Sequence, residues 1–124
     1  MKSNRFVVQE HETPEGVHWD LMLEQNETLM TFRLGKPPQE AARHPTEAVK
    51  IFDHPLRFLS YEGPVQQETG RVHIVDRGTC QLETPRDDLL VLELSGAVLR
   101  GAYTLSREED TTWRLTSGSS QTDG

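Results

Sequence analysis

The feature that most limits this chain is how its apolar residues are punctuated. They come in runs of four to eight, rich in Val, Leu and aromatics, and Gly, Pro, Asn or Asp bounds each run. An amphipathic helix needs an apolar stripe sustained over several turns, whereas short β-branched and aromatic runs between turn formers are the signature of strands. The pattern predicts strands near 5–10, 17–24, 29–34, 49–53, 58–62, 71–76, 79–84, 89–95, 98–105 and 111–116. Four polar segments suit tight connections between antiparallel neighbours: Gln25-Asn26-Glu27-Thr28, Asp76-Arg77-Gly78-Thr79, Ser95-Gly96 and Arg107-Glu108-Glu109-Asp110. Only Pro38-Gln39-Glu40-Ala41-Ala42-Arg43 has helical character, and it spans about one and a half turns. The expectation is therefore an all-β fold. A compact, mainly antiparallel β-barrel of about eight strands with at most one short helix leaves no strand edge exposed.

The 124 residues suit one domain, expected over 1–116, with the Ser/Gly-rich segment 117–124 as a disordered tail. No window approaches the roughly 18 consecutive apolar residues of a spanning helix, so no membrane partner is expected. Met1-Lys2-Ser3-Asn4-Arg5 runs straight into Phe6-Val7-Val8 without the apolar stretch of a secretory signal, which makes the cytoplasm the expected location and a monomer the expected state. The single cysteine, Cys80, excludes an internal disulfide and a Cys-type zinc site, and no basic neighbour closer than Arg77 would activate it. Packing must hold the fold, and Phe6, Phe32, Phe52 and Trp113 are read as core. Thirteen Lys and Arg against 20 Asp and Glu give a net charge of -7, which opposes broad attraction to phosphate backbones. Any contact with nucleic acid is then local or assisted by a metal.

The densest chemical signal is Gln9-Glu10-His11 followed by His18-Trp19-Asp20. Alternate residues of a strand share a face, so His18 and Asp20 project together with about 6.6 Å of rise between them. The loop Glu12-Thr13-Pro14-Glu15-Gly16 is long enough to fold His11 back beside them. Two imidazoles and a carboxylate suit Mn, Zn, Fe or Co with positions left open. The same spacing also fits surface strand residues and a turn-capping histidine. In Asp53-His54-Pro55 the proline holds His54 extended, which either aims its ring into a pocket or makes a turn. His44, in a polar loop, and His73, alternating with Val72 and Ile74, are expected to face solvent. If 25–28 form the turn between the second and third strands, Glu24 opposes Leu29, Met22 opposes Thr31 and Asp20 opposes Arg33. Arg33 then stands beside Asp20, as a phosphate clamp or as a simple cross-strand ion pair.

Five blocks stand in the order and approximate spacing of one family: Phe6-Val7-Val8-Gln9-Glu10-His11, His18-Trp19-Asp20-Leu21-Met22-Leu23-Glu24, Asp53-His54-Pro55-Leu56, Tyr61-Glu62-Gly63 and Asp76-Arg77-Gly78-Thr79. The chain resembles the 3'-phosphoesterase domain of bacterial DNA ligase D, from about Arg5 to Leu115. The resemblance implies a β-barrel with a divalent-metal site, manganese first and zinc or cobalt as alternatives, that trims 3'-ribonucleotides and 3'-phosphates from DNA ends during repair. It implies metal ligands His11, His18 and Asp20, a scissile-phosphate contact from His54, and supporting catalytic residues Gln9 and Glu10. It also implies DNA or RNA-tailed DNA 3'-ends as partners, weakly bound, with polymerase and ligase proteins supplying the other steps of end joining. The family's arginine two residues after the aspartate is Met22 here, and its tyrosine four residues after the histidine is Phe58. Two alternatives follow from those changes: an esterase for another phosphoester, or a non-catalytic metal- or phosphate-binding module of the same fold.

Overall fold

The computed structural model describes residues 4–65 and 70–118. In chain order the elements are β1 (Asn4–Thr13), β2 (Gly16–Gln25), β3 (Thr28–Leu34), α1 (Pro38–Ala41), β4 (Thr46–His54), a 3-10 turn (Leu56–Leu59), β5 (Gly63–Pro64), β6 (Arg71–Arg86), β7 (Leu89–Ser95), β8 (Arg100–Glu109) and β9 (Thr112–Ser117). The strands form one antiparallel sheet in the order β1-β2-β3-β4-β9-β8-β7-β6-β5, and β1 also pairs with β6. Eight strands thus close into a ring, as expected of a barrel, and β5 adds two residues to the edge of β6. Among the described residues no helix is long and apolar enough to cross a membrane.

Alternation along each strand fills the ring. Phe6 and Val8, Leu21 and Leu23, Phe32 and Leu34, Leu92 and Leu94, Tyr103 and Leu105, and Trp113 and Leu115 meet in one buried cluster. Phe32 meets Trp113 edge-on, with ring centroids 5.4 Å apart. The β2–β3 connection has Asn26 and Glu27 at φ 54° and 68°, the left-handed pair that a two-residue hairpin needs to match strand twist. That turn fixes the expected register, Asp20 opposite Arg33, Met22 opposite Thr31 and Glu24 opposite Leu29. Register matters here because a one-residue slip would carry Asp20 to the other face.

Three expectations are corrected. Segment 58–62 is not a strand: Leu56–Leu59 make a 3-10 turn, and Leu56, Phe58 and Leu59 cap a second apolar cluster of Val7, Met22 and Leu29. Spacing of three puts Leu56 and Leu59 on one side of such a turn, which alternation along a strand cannot do. Asp76-Arg77-Gly78-Thr79 is not a hairpin turn but the middle of the 16-residue β6. Asp76 is buried there, and its carboxylate accepts from the backbone N–H groups of Arg77 (2.9 Å), Ala97 (2.7 Å), Val98 (3.2 Å) and Leu99 (2.8 Å). Gly78 is required because a Cβ would lie 2.0 Å from Ser95 O. These turn-forming residues therefore tie the β7–β8 loop to mid-strand. Phe52, read as core, is 73% exposed, whereas Phe6, Phe32 and Trp113 are buried. His44 and His73 are exposed as expected. β9 runs to Ser117, and Gly118 N donates to Ala102 O at 2.6 Å; the rest of the expected tail, 119–124, lies outside the described residues.

Candidate functional site

The apolar cluster fills this barrel's interior, and the polar rows of β1, β2 and β3 lie on the outer face. Here the outer face of β1, β2 and β3 carries three cross-strand rows: Val7–Met22–Thr31, Gln9–Asp20–Arg33 and His11–His18. The first row is apolar apart from Thr31 and is buried by the 3-10 turn. The next two rows open into a cavity of about 520 Å³ lined by Gln9, His11, His18, Asp20, Arg33, Phe52, His54 and Phe58 among others. Gln9 is buried and holds the cover down, its Nε2 donating to Phe58 O and Tyr61 O, each at 3.0 Å. Glu62 and Tyr61 extend that tie: Glu62 Oε2 accepts from Ile74 N at 2.8 Å, and Tyr61 Oη donates to Pro64 O. Glu10 projects to the opposite face of β1, where it accepts from Trp19 Nε1 at 3.2 Å, away from the cavity.

His11, His18 and Asp20 bring one ligand atom each within 4.8 Å of one another. His11 Nδ1 lies 3.0 Å from His18 Nε2, and His18 Nε2 lies 3.7 Å from Asp20 Oδ2. Two ring nitrogens on one ion at about 2.1 Å, seen at roughly a right angle, would be separated by about 3.0 Å. The donor set, two imidazole nitrogens and one carboxylate oxygen, and the burial of His11 and Asp20 therefore fit a divalent transition metal. His11 Nε2 is buried with no hydrogen-bond partner among the described residues, so the ring's polar interactions run through Nδ1. Its back rests against Gly70, where a Cβ would lie 3.2 Å from His11 Nε2 and 2.5 Å from Glu12 O.

His54 reaches the same cavity through an irregularity. Leu29 pairs with His54 and Thr31 with Ile51, so β4 carries one extra residue between those pairs. Such bulges re-aim side chains, and this one puts Phe52 and His54 on the outer face together, their rings stacked at 4.7 Å and 20°. Thr31 Oγ1 lies 3.0 Å from Leu29 O and 2.8 Å from His54 Nδ1. A carbonyl can only accept, so the hydroxyl proton goes to Leu29 and the hydroxyl accepts from His54 Nδ1–H. That pattern places the proton of the neutral ring on Nδ1. Burial lowers the His54 pKa below the ordinary imidazole value. The charges of Asp20 and Asp53 and a backbone hydrogen bond oppose that shift, while Arg33 adds to it.

Arg33 Nε donates to Asp20 Oδ1 at 3.1 Å, so the expected neighbour relation holds and includes the ion pair. Only Nε is engaged among the described residues, and the side chain, 41% exposed, lines the cavity. Met22, at the position of the expected arginine, is 1% exposed between Val7 and Leu29. Phe58, at the position of the expected tyrosine, meets His54 edge-on at 5.5 Å. The structure thus brings His11, His18, Asp20, Arg33, His54 and Gln9 together and leaves Glu10 apart. Sequence reasoning missed Thr31, Gly70 and Phe52. Register alone could have pointed to Thr31, which stands one row from Asp20 and faces the strand that ends in His54.

The family model described as DNA Ligase D 3'-phosphoesterase domain matches residues 9–107. The multifunctional non-homologous end joining protein LigD of Mycobacterium bovis is 31% identical over 119 residues, covering 89% of this chain and 15% of that protein. The Pseudomonas aeruginosa protein of the same name is 33% identical over 111 residues, covering 83% of this chain and 13% of its own length. That of Mycolicibacterium smegmatis is 27% identical over 125 residues, covering 90% and 16%. The chain spans about 15% of the length of these curated relatives. With the match running from Gln9 through the triad and His54 to Arg107, this chain belongs to the DNA ligase D 3'-phosphoesterase domain family.

Proposed function

We propose that this domain is a divalent-metal-dependent phosphoesterase that removes 3'-phosphates or 3'-terminal ribonucleotides from DNA ends, within an end-joining repair pathway. The observation that carries the reading is convergence: the His11, His18 and Asp20 donor atoms, the Arg33 guanidinium and the His54 imidazole all line one cavity. His11, His18 and Asp20 would hold the ion, which supplies Lewis-acid neutralisation of phosphoryl charge and lowers the pKa of water. Arg33 binds a phosphoryl oxygen through its Nη groups while Asp20 fixes its Nε, replacing from the neighbouring strand the guanidinium absent at Met22. His54 waits neutral, with its proton on Nδ1. The charge of an approaching phosphate favours the imidazolium, which donates from Nε2 to a phosphoryl or leaving oxygen. Gln9 positions this machinery by anchoring the backbone at Phe58 and Tyr61.

The test is release of inorganic phosphate from a 3'-phosphate primer with and without Mn, together with metal content. His18→Ala should abolish stoichiometric Mn or Zn uptake and turnover. Arg33→Ala should keep metal affinity and lose about ten- to a hundredfold in activity, roughly 1.4–2.8 kcal/mol of transition-state binding. Metal uptake without turnover on any 3'-end would overturn the enzymatic reading. It would favour a metal- or phosphate-binding module, the second reading that apolar Met22 and Phe58 support.

A further inference from the structure

Among the described residues two large apolar side chains are exposed, Phe52 at 73% and Val17 at 46%, and both line the cavity of the triad. Isolated exposed apolar residues need no explanation, but two that share one polar, charged cavity define a local apolar surface. Phe52 belongs to neither apolar cluster, so the fold does not need it for packing. It is not displaced by accident either: the extra residue in β4 turns it to the outer face with His54, where one ring face lies on the imidazole. Most of the ring is left exposed where it lines the cavity.

We infer that Phe52 is a stacking platform for the nucleobase next to the 3'-phosphoester. The inference rests on the phosphoesterase reading of this site and names the part of the substrate that the metal and cationic groups cannot recognise. Arg33, His54 and a metal at the triad engage a phosphoryl group, which any phosphoester offers. An exposed aromatic ring beside them engages a flat π face, which a nucleotide has and a simple phosphoester lacks. Stacking tolerates every base, as an enzyme acting on ends of any sequence requires. Charge strengthens the argument. At a net -7 the chain cannot draw its substrate in through a broad basic surface, so a short-range contact at the terminal nucleotide carries a larger share of affinity.

The experiment compares two single strands ending in a 3'-phosphate, one with a terminal base and one with a terminal abasic sugar, binding to the intact metal-loaded protein by fluorescence anisotropy. The wild type should bind the base-bearing strand about 5- to 150-fold more tightly. Phe52→Ala should abolish that preference without weakening the abasic strand, and Phe52→Trp should restore it. If Phe52→Ala keeps the preference, weakens both strands equally, or if neither strand binds the wild type, the inference is overturned. Phosphate release measured on the same samples separates the two claims. A Phe52-dependent preference without release would sink the phosphoesterase reading and leave the platform standing. Equal kcat/KM on both strands, unmoved by Phe52→Ala, would sink the platform and leave the phosphoesterase.

Discussion

Thr31→Val tests the coupling between the β3 backbone and the reactive face of His54. Valine keeps the shape of threonine and removes only the hydroxyl, which is fully buried and has two partners, Leu29 O at 3.0 Å and His54 Nδ1 at 2.8 Å. Each bond lost is worth about 1 kcal/mol net, and an orphaned buried donor costs about 1–3 kcal/mol. His54 is only half-buried, so water recovers part of the loss, and the added methyl contributes about 0.8 kcal/mol of burial. The expected destabilisation is about 1–2 kcal/mol in denaturant unfolding. The sharper readout is the tautomer. Without its acceptor, the Nδ1–H form loses about 1 kcal/mol of preference, so the tautomer ratio should shift about fivefold toward Nε2–H in ring 15N spectra of the metal-free protein. Thr31→Ser, which keeps the hydroxyl, should restore the wild-type ratio. Unchanged ring shifts in Thr31→Val would refute the assignment of the Nδ1 proton to Thr31.

Gly70→Ala places a Cβ 2.5 Å from Glu12 O and 3.2 Å from His11 Nε2. The displaced imidazole should lower metal affinity about tenfold by calorimetry, and an unchanged affinity would show that Gly70 does not back the ligand. Asp76→Ala strips the acceptor from four backbone N–H groups around a buried carboxylate and should cost about 3–5 kcal/mol in unfolding, with a loss under about 1 kcal/mol refuting the clamp. Burial holds the His54 pKa below its unfolded value of about 6.5, so as pH falls the unfolded chain takes up that proton first. Its contribution to stability is full above about 6.5 and is lost as pH drops through the lower folded value; the denaturant midpoint of His54→Gln should fall less than that of wild type between about pH 7.5 and about pH 5, and equal falls would refute the shift.

What was legible in the sequence is what strand periodicity and turn chemistry control locally. Asn26 and Glu27 between two alternating runs suffice to set the β2–β3 register, and register gives the pairing of Asp20 with Arg33. The nearness of His11 to His18 is expected from a loop over 12–16 folding back, but the strands pair through Thr13 and Gly16, so only Pro14 and Glu15 make the turn and His11 lies in β1 opposite His18. Where turn residues serve a long-range purpose, the reading failed. Asp76 and Gly78 have the composition of a hairpin, yet the loop they accommodate begins at Gly96, past Ser95, and composition cannot report a partner so distant. Phe52 failed differently. Alternation counted from Ile51 holds only while the strand is regular, and a single bulge reverses which residues face out.

The same bulge explains why the two departures at Met22 and Phe58 are physically coherent. An arginine at position 22 would sit in the row that the 3-10 turn covers, whereas Met22 completes an apolar patch with Val7 and Leu29 directly beneath Thr31 and His54. Phe58 packs against that patch and meets the His54 ring edge-on at 5.5 Å, while Phe52 stacks on the same ring. The imidazole is partly buried here, which lowers its pKa, and Arg33 stands one strand over from Met22, where Asp20 holds its Nε. With apolar residues at these two positions, Arg33 still lines the cavity beside Asp20, and the three donor atoms of the triad are left where β1 and β2 place them.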